Sequence, residues 1–496
     1  MRRVKIICTL GPATESEQVL SALVAGGMDI ARLNFSHGTH EIHALAAERL
    51  RQIAKTQGKY VGLLADISGP KLRVGTLGEP LNLNVGDAVE LREIADPPSH
   101  DVSIPVAALG ALSQLSPGET VSFADGTISV KVVGVSASRV QATVEVGGVL
   151  TSRKGVNFPR AQIRLPSLTD KDIDDIKFCL ELGVDFFAIS FVRRVEDVLY
   201  AREVISKFSP RHAHRIISKI ERPEALEDIE AIVRASDGIM VARGDLGVEI
   251  PPEQVPIEQK RIIHLCNTIG RPVVTATQML ESMVHSTMPT RAEATDVANA
   301  IFDGTDAVML SAETAAGDHP IEALEYMARI SSRAEEELQN QELTLLNRPE
   351  PSRETIADGI GYCAERLTRY LPIKAIIAVT ESGHSARVIS KFRPSVPVIG
   401  ATTNAMAARS LSLSFGVMPA VVNESSADTE NMILSALDYA KKIGLVNEGD
   451  LCVVVAGIPF GVRGTTNLVK VQRVGEGFLV NPDIDDEADG RGLDLP

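Results

Sequence analysis

Three short segments hold the residues best suited to chemistry. "SKIE" (218–221) sets Lys219 and Glu221 two residues apart, a spacing that points both side chains to one face of a β-strand. "ARGDLG" (242–247) places Asp245 after Gly244, where the missing Cβ lets backbone approach a ligand closely. Two carboxylates from neighbouring strands, with room for water and phosphate oxygens, suit Mg²⁺, an ion rarely caged entirely by protein. Lys219 adds a compact positive charge beside them. "LADISGPKLR" (64–73) ends an apolar run on Asp66, breaks at Gly69-Pro70 and sets Lys71 and Arg73 just beyond. Cations and carboxylates around a metal fit phosphoryl transfer, where positioning and charge stabilisation do most of the catalysis. The chain has no G-x-x-x-x-G-K-[ST] loop, which excludes a P-loop enzyme.

These segments need strands to hold them. Eight apolar runs recur at 4–10, 28–35, 61–67, 184–192, 215–221, 238–244, 271–278 and 306–313. Their near-continuous hydrophobicity suits parallel strands covered on both faces. Helical periodicity lies between them, as in 223–235, where Leu226, Ile229 and Val233 share a face, and in 289–302. Eight such units predict an α/β fold built on a TIM (β/α)8 barrel, with its site at the C-terminal strand ends. Seven of the eight ends carry polar groups: Arg32, Asn34, Ser36 and His37; Asp66; Ser190; Lys219 and Glu221; Arg243 and Asp245; Thr275 and Thr277; Ser311 and Glu313.

The predicted catalytic barrel is discontinuous, 1–69 and 167–343. Residues 70–166, rich in Val, Gly, Ser and Pro with alternating runs at 127–135 and 141–146, read as a small β-domain inserted after the third barrel strand. After a linker at 345–355, residues 355–475 read as a C-terminal α/β domain with strands at 373–380, 396–402, 417–422 and 450–457. The acidic, aperiodic stretch 476–496 reads as a mobile tail.

Composition narrows the partners. A net charge of −15 and 4% aromatic residues without tryptophan disfavour nucleic acid and anionic membrane surfaces. No segment approaches the ~20 apolar residues of a membrane span. Five scattered cysteines, with no C-x-x-C pair, read as core thiols of a reducing compartment, and the expected location is cytoplasmic.

The motifs "ICTLGPAT", "ARLNFSHG", "KGVNFP", "ISKIE", "MVARGDLG", "ATQMLESM", "PTRAEATDVANA" and "LSAETAAGDHP" resemble those of the pyruvate kinase family, in its order, over residues 4 to about 475. The resemblance implies a TIM barrel with 70–166 as an inserted β-barrel lid and 355–475 as a C-terminal α/β regulatory domain, and transfer of the phosphoryl group of phosphoenolpyruvate to ADP, with Mg²⁺ or Mn²⁺ as cofactor and a homotetramer as assembly. It implies that Lys219 stabilises the transferring phosphoryl group and the enolate, and that Glu221 and Asp245 hold the metal. Arg32 grips the phosphate. The backbone of Gly244 and Asp245 and the Thr277 hydroxyl hold the carboxylate, with Thr277 near the site of enolate protonation. Asn34, His37 and Arg73 reach the nucleotide phosphates, joined by Lys154 on lid closure.

In many members K⁺ is bound at positions matching Asn34, Ser36, Asp66 and the backbone of Ile67. Those members carry Glu after the Gly-Pro, where this chain has Lys71. That departure resembles the K⁺-independent branch, with an inward-pointing Lys71 standing in for the ion.

The loop Thr380, Ser382, Gly383, His384, Ser385 follows a strand and opens a helix, a setting that suits a phosphate. In the family the matching loop binds a phosphorylated effector, a sugar phosphate or a nucleotide. Two other readings stand beside the main one. A metal-dependent barrel lyase or aldolase acting on pyruvate-like substrates gives no reason for the lid with Lys154. An inactive effector sensor gives none for intact Lys219, Glu221, Asp245, Arg32 and Thr277.

Overall fold

The computed structural model describes residues 2–98, 102–107, 110–124, 126–137, 139–158, 165–210, 214–340, 355–422, 429–458 and 466–477. Residues 345–354 of the expected linker, the tail beyond 477, and residues 459–465 lie outside them.

All eight apolar runs form strands: Lys5–Thr9, Ile30–Asn34, Gly62–Ile67, Phe186–Ile189, Arg215–Ile220, Gly238–Ala242, Val273–Ala276 and Ala307–Leu310. They pair in parallel in chain order and close into a barrel through the Lys5–Thr9 and Ala307–Leu310 strands. Nearly every residue of these strands is buried, because helices cover the outside and side chains fill the inside. Each such Ile or Leu contributes about 1.5–3 kcal/mol.

Local signals fix the helix ends. Thr290 and Glu293 form a capping box at the start of Arg291–Asp303, and Gly304 ends that helix at φ +97°. Residues 223–235 do not form one helix. They divide into Pro223–Glu227 and Ile229–Ala235. At the break, the Asp228 carboxylate accepts a hydrogen bond from Val195 N at 2.7 Å, tying the turn to the neighbouring unit.

The inserted segment has its own buried cluster, including Leu91, Val106, Phe123 and Val130. Its seven-stranded sheet runs from Val156–Asn157 at one edge to Arg73–Val74 at the other. The two edges meet at the neck. Arg73 bridges Gly155, Val74 N donates to Lys154 O at 2.8 Å, and Val156 N donates to Leu72 O at 2.9 Å. The sheet thus curls into the barrel-like lid the sequence predicts.

The C-terminal sheet has the order Val417–Val421, Val398–Thr402, Ile373–Val379, Leu451–Gly457, Thr466–Arg473. Four strands match the sequence reading. The fifth, Thr466–Arg473, was not predicted and runs antiparallel along the edge. Arg409 Nε–Asp185 Oδ1 (2.8 Å) and Arg393–Asp306 (3.0 Å) join this region to the barrel.

Four cysteines are buried, but Cys363 is exposed on the helix Ile356–Tyr370, so it is not the core thiol expected. No helix among the described residues is long and apolar enough to cross a membrane.

Candidate active site

The third, fourth and fifth barrel strands meet in one buried cluster. Lys219 Nζ lies 3.1 Å from Asp66 Oδ1 and 2.9 Å from Glu221 Oε1. It also donates to Ser190 Oγ at 2.7 Å. Arg32 Nε donates to Asp66 Oδ2 at 2.7 Å, and its NH1 donates to Thr9 Oγ1 at 2.9 Å. Asp66 therefore sits between two cations. Burial opposes its charge, but Lys219 and then Arg32 outweigh burial and hold the carboxylate below its usual range. Burial likewise opposes the Lys219 charge, and Asp66 and Glu221 overcome it, so the ammonium stays protonated.

Glu221 differs. Burial pushes its pKa up, Lys219 pulls it down, and Asp245 pushes it up again, leaving it above the ordinary value. Its Oε2 accepts from Phe191 N at 2.8 Å. Its Oε1 is buried and, apart from the Lys219 ion pair, makes no hydrogen bond. A buried carboxylate oxygen short of donors, facing a second carboxylate, fits a divalent cation. Among the described residues no three His, Cys, Asp or Glu side chains cluster as a metal cage. Mg²⁺ keeps water and substrate oxygens as ligands and needs few protein donors.

Asp245 lies in the first turn of the short helix Arg243–Glu249, and its Oδ1 is 3.0 Å from Lys71 Nζ. Lys71 thus contacts Asp245 instead of the Asn34, Ser36 and Asp66 group where the sequence reading looked for it. Its ammonium also lies 5.9 Å from the Phe191 ring centre. Gly244 N donates to Thr277 Oγ1 at 2.8 Å, so these two carboxylate-binding candidates are neighbours. Thr277 (φ +69°) and Gln278 (φ +53°) hold a left-handed backbone, uncommon for a β-branched residue and typical of strained functional rims.

The remaining candidates lie around this centre. Asn34 Oδ1 accepts from Ser36 N at 3.1 Å, and Ser36 Oγ approaches Ser68 Oγ at 3.3 Å. Ile67 is fully buried. His37 is exposed on the turn beyond Asn34. Its pKa is lowered first by partial burial, then by Arg73, Arg32 and Lys71, so it is a neutral group in a positive rim. Arg73 NH1 donates to Arg153 O at 3.0 Å, at the lid neck. The Lys154 side chain is exposed on the lid.

In the C-terminal region, Thr380 and Ser385 are buried, and Ser385 Oγ meets Thr466 Oγ1 at 2.8 Å. Gly383 adopts φ +81° at the start of the helix His384–Lys391.

Sequence reasoning missed the supports. Arg243 was read as a rim group. It turns aside, bonding Asp296 Oδ1 and Thr277 O, both at 2.7 Å, and so holds the strained Thr277 backbone. Phe191, at φ +56°, aims its N–H at Glu221. Asn157 of the lid donates to Glu249 Oε1 at 2.9 Å, and Arg222 reaches the same oxygen at 2.6 Å, linking lid to barrel. A positive φ leaves no sequence signal at Phe or Thr. Glu313 accepts from Ser311 N (2.6 Å) and Leu280 N (3.1 Å), and is a backbone anchor.

This combination defines a three-part barrel enzyme with its charged centre at the C-terminal rim, beneath an inserted lid. Comparison with known proteins makes the class specific. Residues 1–324 match the family model "Pyruvate kinase, barrel domain", and residues 358–472 match "Pyruvate kinase, alpha/beta domain". A pyruvate kinase of Bacillus licheniformis is 44% identical over 481 residues, covering 96% of this chain and 81% of that protein. One of Geobacillus stearothermophilus is 44% identical over 480 residues, with the same coverage. The crystal structure of a pyruvate kinase from Cryptosporidium parvum superposes with a TM-score of 0.87 at 38% identity, covering 95% of this chain and 96% of that one. The chain belongs to the pyruvate kinase family. It is an enzyme, and membership gives it phosphoenolpyruvate and ADP as substrates.

Proposed function

We propose that the Lys219 cluster carries the phosphoryl transfer of this enzyme. The observation behind the reading is the Lys219 ammonium, fixed by Asp66, Glu221 and Ser190 at the rim. Held protonated there, Lys219 stabilises charge on the transferring phosphoryl group and on the enolate it leaves. Arg32, pinned by Asp66 and Thr9, presents the rest of its guanidinium to the phosphate. Gly244 N and the Thr277 hydroxyl exchange their mutual hydrogen bond for the substrate carboxylate. Glu221 and Asp245 would hold Mg²⁺ or Mn²⁺, which when bound supplies charge neutralisation between substrate carboxylate and phosphate. Asn34, His37, Arg73 and, from the lid, Lys154 serve the nucleotide phosphates. Lid closure about the neck at 70–74 and 153–156 excludes water and protects the enolate. A coupled assay of pyruvate formation with ADP tests the set. Normal turnover in Lys219→Met overturns it.

The same reading takes the enzyme to work without K⁺. Lys71 brings its ammonium into the charged rim with a side chain only 28% exposed, entering through Asp245.

It also takes the loop 380–385 as a site for a phosphorylated effector. In support, the loop follows the strand Ile373–Val379, where the sheet order reverses toward Leu451–Gly457, the usual ligand crevice of open α/β sheets. A panel of sugar phosphates and nucleotides that leaves the apparent KM for phosphoenolpyruvate unchanged overturns that claim.

A homotetramer is proposed with it. The helix Ile356–Tyr370 exposes Ile356 and Tyr370 at its two ends with Cys363 between them, seven residues from each. A monomeric sedimentation coefficient at micromolar concentration overturns the assembly.

A further inference from the structure

On the far side of the barrel from the active site, a cavity of about 840 Å³ separates the barrel floor from the C-terminal region. Its barrel wall comes from the starts of the fifth, sixth and seventh strands, with Arg215, Asp237 and Arg271. Its other wall is the helix His384–Lys391 and the start of Ile356–Tyr370.

The charge in this cavity is unbalanced. Asp237 is shared between Arg215 (3.0 Å) and Arg202 (2.8 Å), Asp358 is taken by Lys391 (2.7 Å), and Arg234 pairs with Glu230 (2.7 Å). Arg271 and Arg387 also line the cavity, and among the described residues neither has an ion-pair partner. Arg387 NH2 donates to Ser382 O at 3.0 Å, but its NH1 is buried with no hydrogen bond. Arg271 NH2 donates to Arg234 O at 2.9 Å, and its Nε is buried and likewise unbonded. The neighbouring His384 is kept neutral by burial and by Arg387 and Arg215. Buried donors without acceptors on two guanidinia, in a space this large, point to a missing anion.

We propose that this cavity binds a small organic phosphate, held by Arg271 and Arg387. Guanidinium forks match phosphate oxygens bidentately, which a lysine cannot do. The volume falls within the roughly 300–1,000 Å³ of small-molecule sites and leaves space for an organic group beyond the phosphate. The site adjoins the proposed effector loop, sharing His384 with it and reaching Ser382 O through Arg387, but its floor lies on the barrel side. Neither Thr380 nor Ser385 lines the cavity. A ligand here would bridge the barrel to the C-terminal region at Arg215, whose strand Arg215–Ile220 carries Lys219 near its opposite end.

The test titrates the full-length protein calorimetrically with inorganic pyrophosphate in metal-free buffer, which weakens binding at the catalytic rim. Arg271→Gln and Arg387→Gln are each expected to weaken binding at least tenfold, and Ser385→Ala less than twofold. Thermal melts supply a second reading. Without anion, both arginine variants should melt at or above the wild-type temperature, because an uncompensated buried charge is gone, and pyrophosphate should no longer raise their midpoints. Unchanged affinity in both arginine variants, loss of binding with Ser385→Ala alone, or anion-free melting well below wild type in both arginine variants would overturn the proposal.

Discussion

Lys71 Nζ lies 3.0 Å from Asp245 Oδ1 and so joins the lid hinge to the end of the sixth barrel strand. Lys71 is the second residue past Gly69, where the chain leaves the barrel for the lid. The charge of Asp245 adds to burial in raising the pKa of Glu221. A cation at the junction of barrel and inserted segment thus sits against a carboxylate of the barrel rim. The charge at the rim depends on where the hinge places Lys71.

The first prediction concerns that charge. With tetramethylammonium as the only monovalent cation, the wild-type enzyme is expected to keep its full kcat. Lys71→Glu sets a carboxylate beside Asp245, where two like charges repel unless a cation lies between them. Its kcat should fall at least tenfold without K⁺ and recover on adding K⁺. Strong K⁺ activation of the wild type sinks the idea.

Lys219→Met removes the charge at the centre of the cluster and should cut kcat by about 10³-fold or more. Breaking a buried pair costs about 3–5 kcal/mol when the remaining charge has no outlet. Here Arg32 still neutralises Asp66, and Glu221, already raised in pKa, can take up a proton. The melting midpoint is therefore expected to drop by only a few degrees. A variant that loses its fold as well as its turnover would show that Lys219 is chiefly structural.

Gly69 is the hinge position that tolerates least. Its φ is +66°, and an added Cβ would lie 3.1 Å from Ser190 O and 3.1 Å from the Phe191 ring. Ser190 and Phe191 hold Lys219 and Glu221 respectively. Gly69→Ala adds about 1–2 kcal/mol of backbone strain and presses on those two contacts. Both kcat and the KM for phosphoenolpyruvate should worsen, with a small loss of stability. Steady-state kinetics identical to wild type would refute it.

The barrel was legible because parallel strands buried on both faces leave near-continuous apolar runs, and all eight runs became strands. The Lys219 and Glu221 pair was legible because strand period two forces them to one face. The strand Thr466–Arg473 was not. TNLVKVQR shows no clean alternation and most of it is only half-buried, and its partner Leu451–Gly457 is set by tertiary packing. The break at Asp228 escaped for the same reason, since its bond goes to another βα unit. The partner of Lys71 escaped because a long side chain beyond a Gly-Pro break can reach either neighbouring carboxylate.

The last prediction concerns stability, far from the rim. Asp29 pairs with Arg2 at 2.8 Å and Lys5 at 3.5 Å, and accepts from Ile6 N at 2.9 Å. Burial alone would raise its pKa, but Arg2 and then Lys5 outweigh burial and lower it from 3.8. A group depressed in the folded state stabilises fully above its unfolded value, and that stability is lost as pH falls through the folded value. Asp29→Asn keeps an acceptor for Ile6 and loses the charge, so it should cost about 2–3 kcal/mol at pH 7, or about 2–4 °C per kcal/mol in a domain of this size. The gap between wild type and variant should hold from pH 7 to 5 and narrow below about pH 4. Melts across that range decide the matter: a gap independent of pH would mean that packing, not the ion pair, sets the cost.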